Sequence, residues 1–417
     1  MRFLLLTALA FIPATVLAQS SPPYTVVFDR YMTPAAGAQD LLTVQHQLAT
    51  VEDRWLPLKI GSESTRRGLA LGISYRAGKF LFLDMPQDHF LMVVAHEVFG
   101  HGARFRELGE GELSYGFDAP IPYGSGDAFT RFSGEFPVSP LADLTASASG
   151  MEAQHSLADA IADRAVARGR LHYREGWLYF ESRMTAVSYI LSASPHSSEG
   201  HDVAAYLETF EKACVAPCSP LTRNQVQRRS LIALADPLLY YSMYGLAVSY
   251  IGNGNLTGPM PLFPVGAGVR IMPSAGYALA PYGGEWTVRA AIHQELKAER
   301  RQRRITGVTF RVGDTGASST WGVGVRAADV VRLLGFPVAI AVDLWRQPDV
   351  LADYTSDPQQ TGGGALGTIV LPLPRMFRTP WSEGIQITAG YKARGYIPGE
   401  QLGGGGVLRA GITMSPR

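Results

Sequence analysis

Trp286-Thr287-Val288-Arg289-Ala290-Ala291-Ile292 alternates in part between apolar and polar side chains, the period-two signature of a strand with two unlike faces. Gln386-Ile387-Thr388-Ala389-Gly390-Tyr391 does the same further along. Runs of this texture fill 265–272, 285–295, 306–312, 320–326, 337–345, 365–371, 385–393 and 406–414, with Gly- or Pro-rich turns between them. Some eight short strands in sequence predict a small antiparallel barrel, with a soluble β-sandwich or lipocalin-like barrel as the competing architecture. Aromatics near strand ends (Tyr277, Tyr282, Trp321, Trp345, Phe377, Trp381 and Tyr396) are candidates for the interface girdles of an outer-membrane barrel.

Upstream of this region the pattern is helical. Ala, Leu and charged residues recur at helical spacing in 40–55, 89–108, 141–168 and 200–214. Asn253-Gly254-Asn255, Gly258-Pro259 and Pro261 mark a boundary. The expected fold class is therefore α+β, a mainly helical part at 19–255 followed by an antiparallel, barrel-like β part at 256–417. The apolar run 231–251 is long enough for a span, but Asp236 and Pro237 make it read first as a core helix interrupted at the proline.

At the start, Arg2 precedes an apolar run at 3–17, Val16-Leu17-Ala18 is a small-x-small cleavage site, and Gln19-Ser20-Ser21-Pro22-Pro23 is polar. This predicts a secretory signal peptide at 1–18 and an exported protein, in the periplasm or outer membrane of a Gram-negative bacterium, with membrane lipid as the barrel's partner. A net charge of +1 with 18% charged residues argues against nucleic acid. Cys214 and Cys218 are the only cysteines and can close one short bridge in an oxidising compartment; a metal site made of the two is the other option. The basic run 297–304 reads as a solvated hairpin loop, or as a contact for lipopolysaccharide phosphates.

The chemistry concentrates in one stretch. The apolar run Phe90-Leu91-Met92-Val93-Val94-Ala95 leads directly into His96-Glu97-Val98-Phe99-Gly100-His101. Two imidazoles five positions apart point about 140° from each other on a regular helix, so they cannot share an ion. One extra residue in the turn, a π-bulge, brings them together, and such bulges favour functional sites. Gly100 is well placed to allow it.

These six residues resemble the His-Glu-x-x-Gly-His motif of the dipeptidyl-peptidase III family of zinc peptidases. The resemblance implies that His96 and His101 bind zinc and that Glu97 activates the water. It also implies a third ligand from a later helix, where Gly150-Met151-Glu152-Ala153-Gln154-His155-Ser156 is the best match and Glu152 stands at the ligand position. Met151 and Ser156 stand where that family has acids, and six residues of the chain carry no expectation about the fold.

Independently, Glu152, His155, Asp159 and Asp163 recur at three- and four-residue steps, which places metal-competent groups along one helical face. His155 and Asp159 are candidates to orient a ligand imidazole, or to replace Glu152. A solvated helix face is the competing reading of that pattern. His89 is a further candidate to support the motif. Tyr115, Tyr123, Tyr173 and Arg104 are candidates to polarise a carbonyl, and the Gly-, Pro- and aromatic-rich segment 109–140 is a candidate substrate loop. The expected function is an exported hydrolase using one Zn²⁺, a metallopeptidase acting on a peptide or protein substrate through a metal-activated water. The alternative is an outer-membrane barrel with a structural metal; a di-iron bundle needs a second Glu-x-x-His pair, which is missing.

Overall fold

The computed structural model describes residues 24–60, 64–194, 200–214, 218–266, 268–294, 304–351, 359–373 and 381–416. The expected signal peptide at 1–18 and the basic run at 297–303 lie outside the described residues.

The chain opens with strand β1 (Tyr24–Phe28) and helices α1 (Pro34–Trp55), α2 (Arg66–Lys79), α3 (Met85–Val94) and α4 (Gly102–Leu108). A hairpin of β2 (Glu110–Phe117) and β3 (Ala128–Glu135) leads to α5 (Pro140–Arg168), β4 (Arg170–His172) and α6 (Tyr173–Ser192). Helices α7 (Asp202–Ala213), α8 (Arg223–Ser230) and α9 (Pro237–Tyr244) follow, then β5 (Thr257–Pro259) and β6 (Phe263–Gly266). Eight long strands finish the chain: β7 (Val269–Ala280), β8 (Gly283–Gln294), β9 (Arg304–Asp314), β10 (Ser319–Leu333), β11 (Phe336–Gln347), β12 (Gln360–Pro372), β13 (Trp381–Lys392) and β14 (Gly405–Pro416). Cys214 and Cys218 form a disulfide.

The ten-stranded sheet runs β1-β14-β13-β12-β11-β10-β9-β8-β7-β6, antiparallel throughout. β1 and β6 are its two ends and do not pair, so the expected closed barrel is corrected to an open sheet. The reason is physical: both end strands are short, and helices fill the gap between them. α1 packs on β1 and on α5, Lys79 at the end of α2 meets Glu52 of α1 at 2.9 Å, α2 packs on the turn at Gly245–Gly252, and α9 with the turn before it packs on β7. The sheet therefore curls around a helical interior, with helices carrying the wall from one sheet end to the other. β1 also crosses the expected division at residue 255, since an N-terminal strand belongs to the C-terminal sheet.

α5 is the central pillar. Pro140 starts it at a position where a helix amide has no partner, and Gly169 ends it in the left-handed conformation at φ 66°. It touches α1, α6, α7 and the inner face of β7 and β8. Its Ala, Ser and Gly content suits that crowding, because small side chains let neighbours approach. Leu157, Ala158, Ile161 and Ala165 are fully buried in the main core with Leu41, Leu91 and Leu178, each large apolar side chain contributing about 1.5–3 kcal/mol.

The sheet inverts the usual polarity. Side chains facing the helices include buried Glu285, Arg289, Arg311, Asp343, Gln386 and Arg409. Many are paired: Arg311 Nη1 with Glu285 at 3.2 Å, Arg289 with Asp163, and Arg409 Nη2 with Glu400 at 2.6 Å. The opposite face carries exposed Trp286, Val288, Phe310, Val342, Leu344 and Leu408. Of the expected girdle aromatics, Tyr277, Tyr282, Trp345 and Tyr396 are buried inside, which corrects that expectation, and Trp321 is exposed. Phe377 and the Trp381 side chain lie outside what is described. The run 231–251 does break at Pro237, with a 57° bend; Leu238, Leu239, Leu246 and Tyr250 on it are buried in the core, while Tyr240, Tyr244 and Val248 are exposed. Among the described residues no single helix is long and apolar enough to cross a membrane; the pair Arg223–Ala235 and Pro237–Gly252 passes by length and composition together.

Candidate metal centre

Ala95–His101 is a π-helical turn inserted between α3 and α4. The amide of Gly102 reaches back five residues to the Glu97 carbonyl, the wide pairing that the spacing of His96 and His101 demands. Arg106 Nη1 donates to the Val98 carbonyl at 3.1 Å, inside the widened turn. The two imidazole rings come within 4.9 Å, centre to centre, at 69°.

Two glycines permit this packing. A Cβ on Gly100 would lie 2.6 Å from the Ser149 carbonyl oxygen and 2.7 Å from Gly150 Cα. Gly100 therefore lets α5 press against the turn, a role beyond easing the bulge. A Cβ on Gly150 would lie 2.3 Å from His96 Nε2, so Gly150 leaves the volume that the ring occupies.

The third group is Asp202, in the first turn of α7. His96 Nε2 and His101 Nε2 are 3.2 Å apart, and Asp202 Oδ2 lies 3.2 Å from the first and 3.1 Å from the second. Ligand atoms around a tetrahedral zinc, with bonds of about 2.0–2.1 Å, are separated by about 3.3 Å. The nearly equilateral triangle fits a small divalent cation with one open position, and its two nitrogens and one carboxylate suit zinc better than calcium, which prefers six or more oxygens.

The surroundings prepare these atoms. His101 Nδ1 donates to the Ala146 carbonyl at 2.8 Å, which commits that nitrogen as a donor and turns Nε2 toward the triangle. Burial disfavours a charge on His101, but Asp202 outweighs it and, with Glu97 and that carbonyl, raises the ring pKa to about 9. Burial alone would raise Asp202; the two histidines reverse this and hold it well below the ordinary carboxylate range. The triangle is thus tuned to hold positive charge. Its side chains stay 10–19% exposed, so water can reach it.

Glu97 borders the triangle closely enough for its charge to act on His101. Its Oε2 accepts from the Thr130 hydroxyl at 2.6 Å, so strand β3 roofs the site. Tyr189, on α6, lies edge-on to His96 with ring centres 6.1 Å apart. Its phenol oxygen accepts from the Asp202 amide at 3.1 Å, and its ring stacks on His201 at 4.2 Å. Burial and Asp202 raise its pKa, so it stays a protonated donor.

The structure brings together His96, His101 and Glu97 but not the other expected residues. Glu152 meets Arg104 Nη2 at 2.5 Å and accepts from the Gly399 amide at 2.8 Å. It is a buried ion-pair partner facing the loop before β14, and the carboxylate that stands with His96 and His101 is Asp202 instead. Asp159 pairs with Arg183 at 2.5 Å, and His155 beside that pair has its pKa lowered to about 3, chiefly by burial. Neither orients a motif histidine. His89 bonds to Glu181 at 2.6 Å, and Tyr173 donates to Asp84 at 2.8 Å. Tyr123 donates to the Phe82 carbonyl at 2.5 Å, and Tyr115 accepts from Arg106 at 2.6 Å. The segment 109–140 forms the β2–β3 hairpin. Sequence reasoning missed Asp202, Thr130 and Tyr189. Asp202 was visible only as an acid opening a predicted helix, which reads as an ordinary favourable charge at a helix start. None of the known protein families, curated proteins or solved structures compared with this chain matches it.

Proposed function

We propose that the chain is an exported zinc-dependent hydrolase, a metallopeptidase in its simplest form. The observation that carries the reading is the His96–His101–Asp202 triangle with the Glu97 carboxyl group on the residue next to His96. Zinc there supplies an acidified water and a Lewis acid for a carbonyl. Glu97 takes the proton of the attacking water and returns it to the leaving amine. Thr130 holds Glu97 in place, and Tyr189, edge-on to His96 and bonded to the Asp202 amide, supplies a proton donor beside the triangle. The likeness to the dipeptidyl-peptidase III motif supports the roles of His96, His101 and Glu97, while the third ligand differs from that pattern.

A structural metal without catalysis is the second reading, favoured by the bond that occupies Glu97 Oε2. Metal content and hydrolysis of a peptide library by three proteins separate the two. Wild type should carry one zinc per chain and cleave. Asp202→Ala should lose the metal, and Glu97→Gln should keep it and lose cleavage by about 100-fold or more. Zinc kept by wild type and Glu97→Gln and lost by Asp202→Ala, with no cleavage by wild type, would establish the structural reading.

A further inference from the structure

We infer that the outer face of the curled sheet, together with the helices that span its gap, is a wall embedded in lipid hydrocarbon. The inference is independent of the chemistry at the metal centre.

The registers line up apolar rows across successive strands. Val288, Phe310, Val323 and Leu344 form one row over β8 to β11. Val308, Val325, Val342, Ala365 and Tyr391 form the next, over β9 to β13. Ile369, Ile387 and Ala410 continue the pattern to β14. Among the described residues of β11 to β14, the outward positions between Arg346 and Glu383 carry no charge, and those two residues lie at opposite ends of the band; on β10 the pair Asp329–Arg332 sits at the bulge near the Glu383 end. Trp286 and Trp321 flank Val312 in the row that ends at Arg346, the place for an interfacial aromatic pair.

Charge decides the occupant. Val288, Phe310 and Leu344 are 57%, 54% and 53% exposed, while the alternate positions on the same strands hold buried Arg289, Arg311 and Asp343. A water-soluble sheet packed on helices has the opposite polarity, and a polar-in, apolar-out alternation is the membrane-barrel pattern. Seven strands at about 4.8 Å spacing make the band roughly 34 Å wide. The helices extend it with exposed Leu71, Phe82, Leu231, Tyr240, Tyr244 and Val248. Hydrocarbon also demands that backbone groups pair internally. At the β1 edge helix α1 meets that demand in part, Asp40 accepting from the Val27 amide at 2.6 Å and Thr43 donating to the Thr25 carbonyl at 2.9 Å.

The test uses the full chain in phosphatidylcholine vesicles. Nitroxide labels at Val342→Cys and Ile387→Cys should collide with oxygen in preference to a water-soluble nickel chelate, while a label at Glu208→Cys, on the exposed face of α7, should show the reverse. Preference for nickel at 342 and 387 would place the face in water and overturn the inference. Exclusion of both reagents would place a second copy there and overturn it equally. As a check free of cysteine variants, vesicles of brominated phosphatidylcholine should quench wild-type tryptophan fluorescence, and Trp286→Phe/Trp321→Phe should remove part of that quenching. Equal quenching of the two proteins would contradict the placement of the Trp row.

Discussion

Glu152 shows how a single residue can satisfy a motif and do something else. Its position on α5 matched a ligand by family pattern, yet its carboxylate holds the fully buried Arg104, which also donates to Glu107 at 2.8 Å. Removing one member of a buried pair leaves an uncompensated charge and costs about 3–5 kcal/mol. Glu152→Ala should lower the urea midpoint accordingly, while the fraction that stays folded still binds one zinc. Loss of metal at unchanged stability would restore the ligand role. His46 offers a test by pH. It stacks on Tyr24 at 3.7 Å, and burial lowers its pKa to about 4 against Glu175, which works to raise it. An unfolded chain titrates this ring near 6.5, so between the two values the unfolded state binds more protons. The contribution of His46 is full above about pH 6.5 and is lost as pH falls toward 4. Wild type should lose more stability than His46→Gln between about pH 7 and about pH 5; equal losses in urea titrations would show that the ring does not titrate this way.

At the scale of elements, the π turn is where sequence spacing had the most to say. Two histidines and the glycine between them required a wider turn, and Ala95–His101 supplies one. Deleting Val98 should restore regular winding with the two histidines four positions apart, about 40° around the helix, so that both imidazoles still face one ion. Helical circular dichroism should hardly change, and zinc affinity should stay within about 10-fold of wild type. A loss of about 100-fold or more would mean that the wide turn itself is needed to place the rings. The long strands were legible for a similar reason: alternation such as Trp286-Thr287-Val288-Arg289 is a local property. Local patterns could not tell which face was inner, so Trp345 and Tyr396 were assigned to a girdle and are instead buried. Asp202 was illegible because a carboxylate distant in sequence meets the motif only through the packing of α7 on α5.

For the whole molecule, the least legible feature was closure. The sheet does not complete a circle with its own strands, and no periodicity in the chain announces that helices take over between β1 and β7. The same holds for β1, five residues that lie beside the last strand with Tyr24 opposite Met414. Ending the chain after residue 404 removes β14, the strand that pairs with β1 among the described residues, along with the Arg409 contacts to Asp29 and Glu400. That truncation should abolish cooperative unfolding by heat, a collapse far larger than trimming a free terminus would bring; a sharp transition near the wild-type temperature would mean that the interior holds without it.

The pairing of the first strand with the last also sets an order of events. Synthesis delivers β1 hundreds of residues before β14, so until β14 appears five residues offer edge amides and carbonyls to any passing strand. The newborn protein is therefore vulnerable to exchanging this piece with a sibling copy.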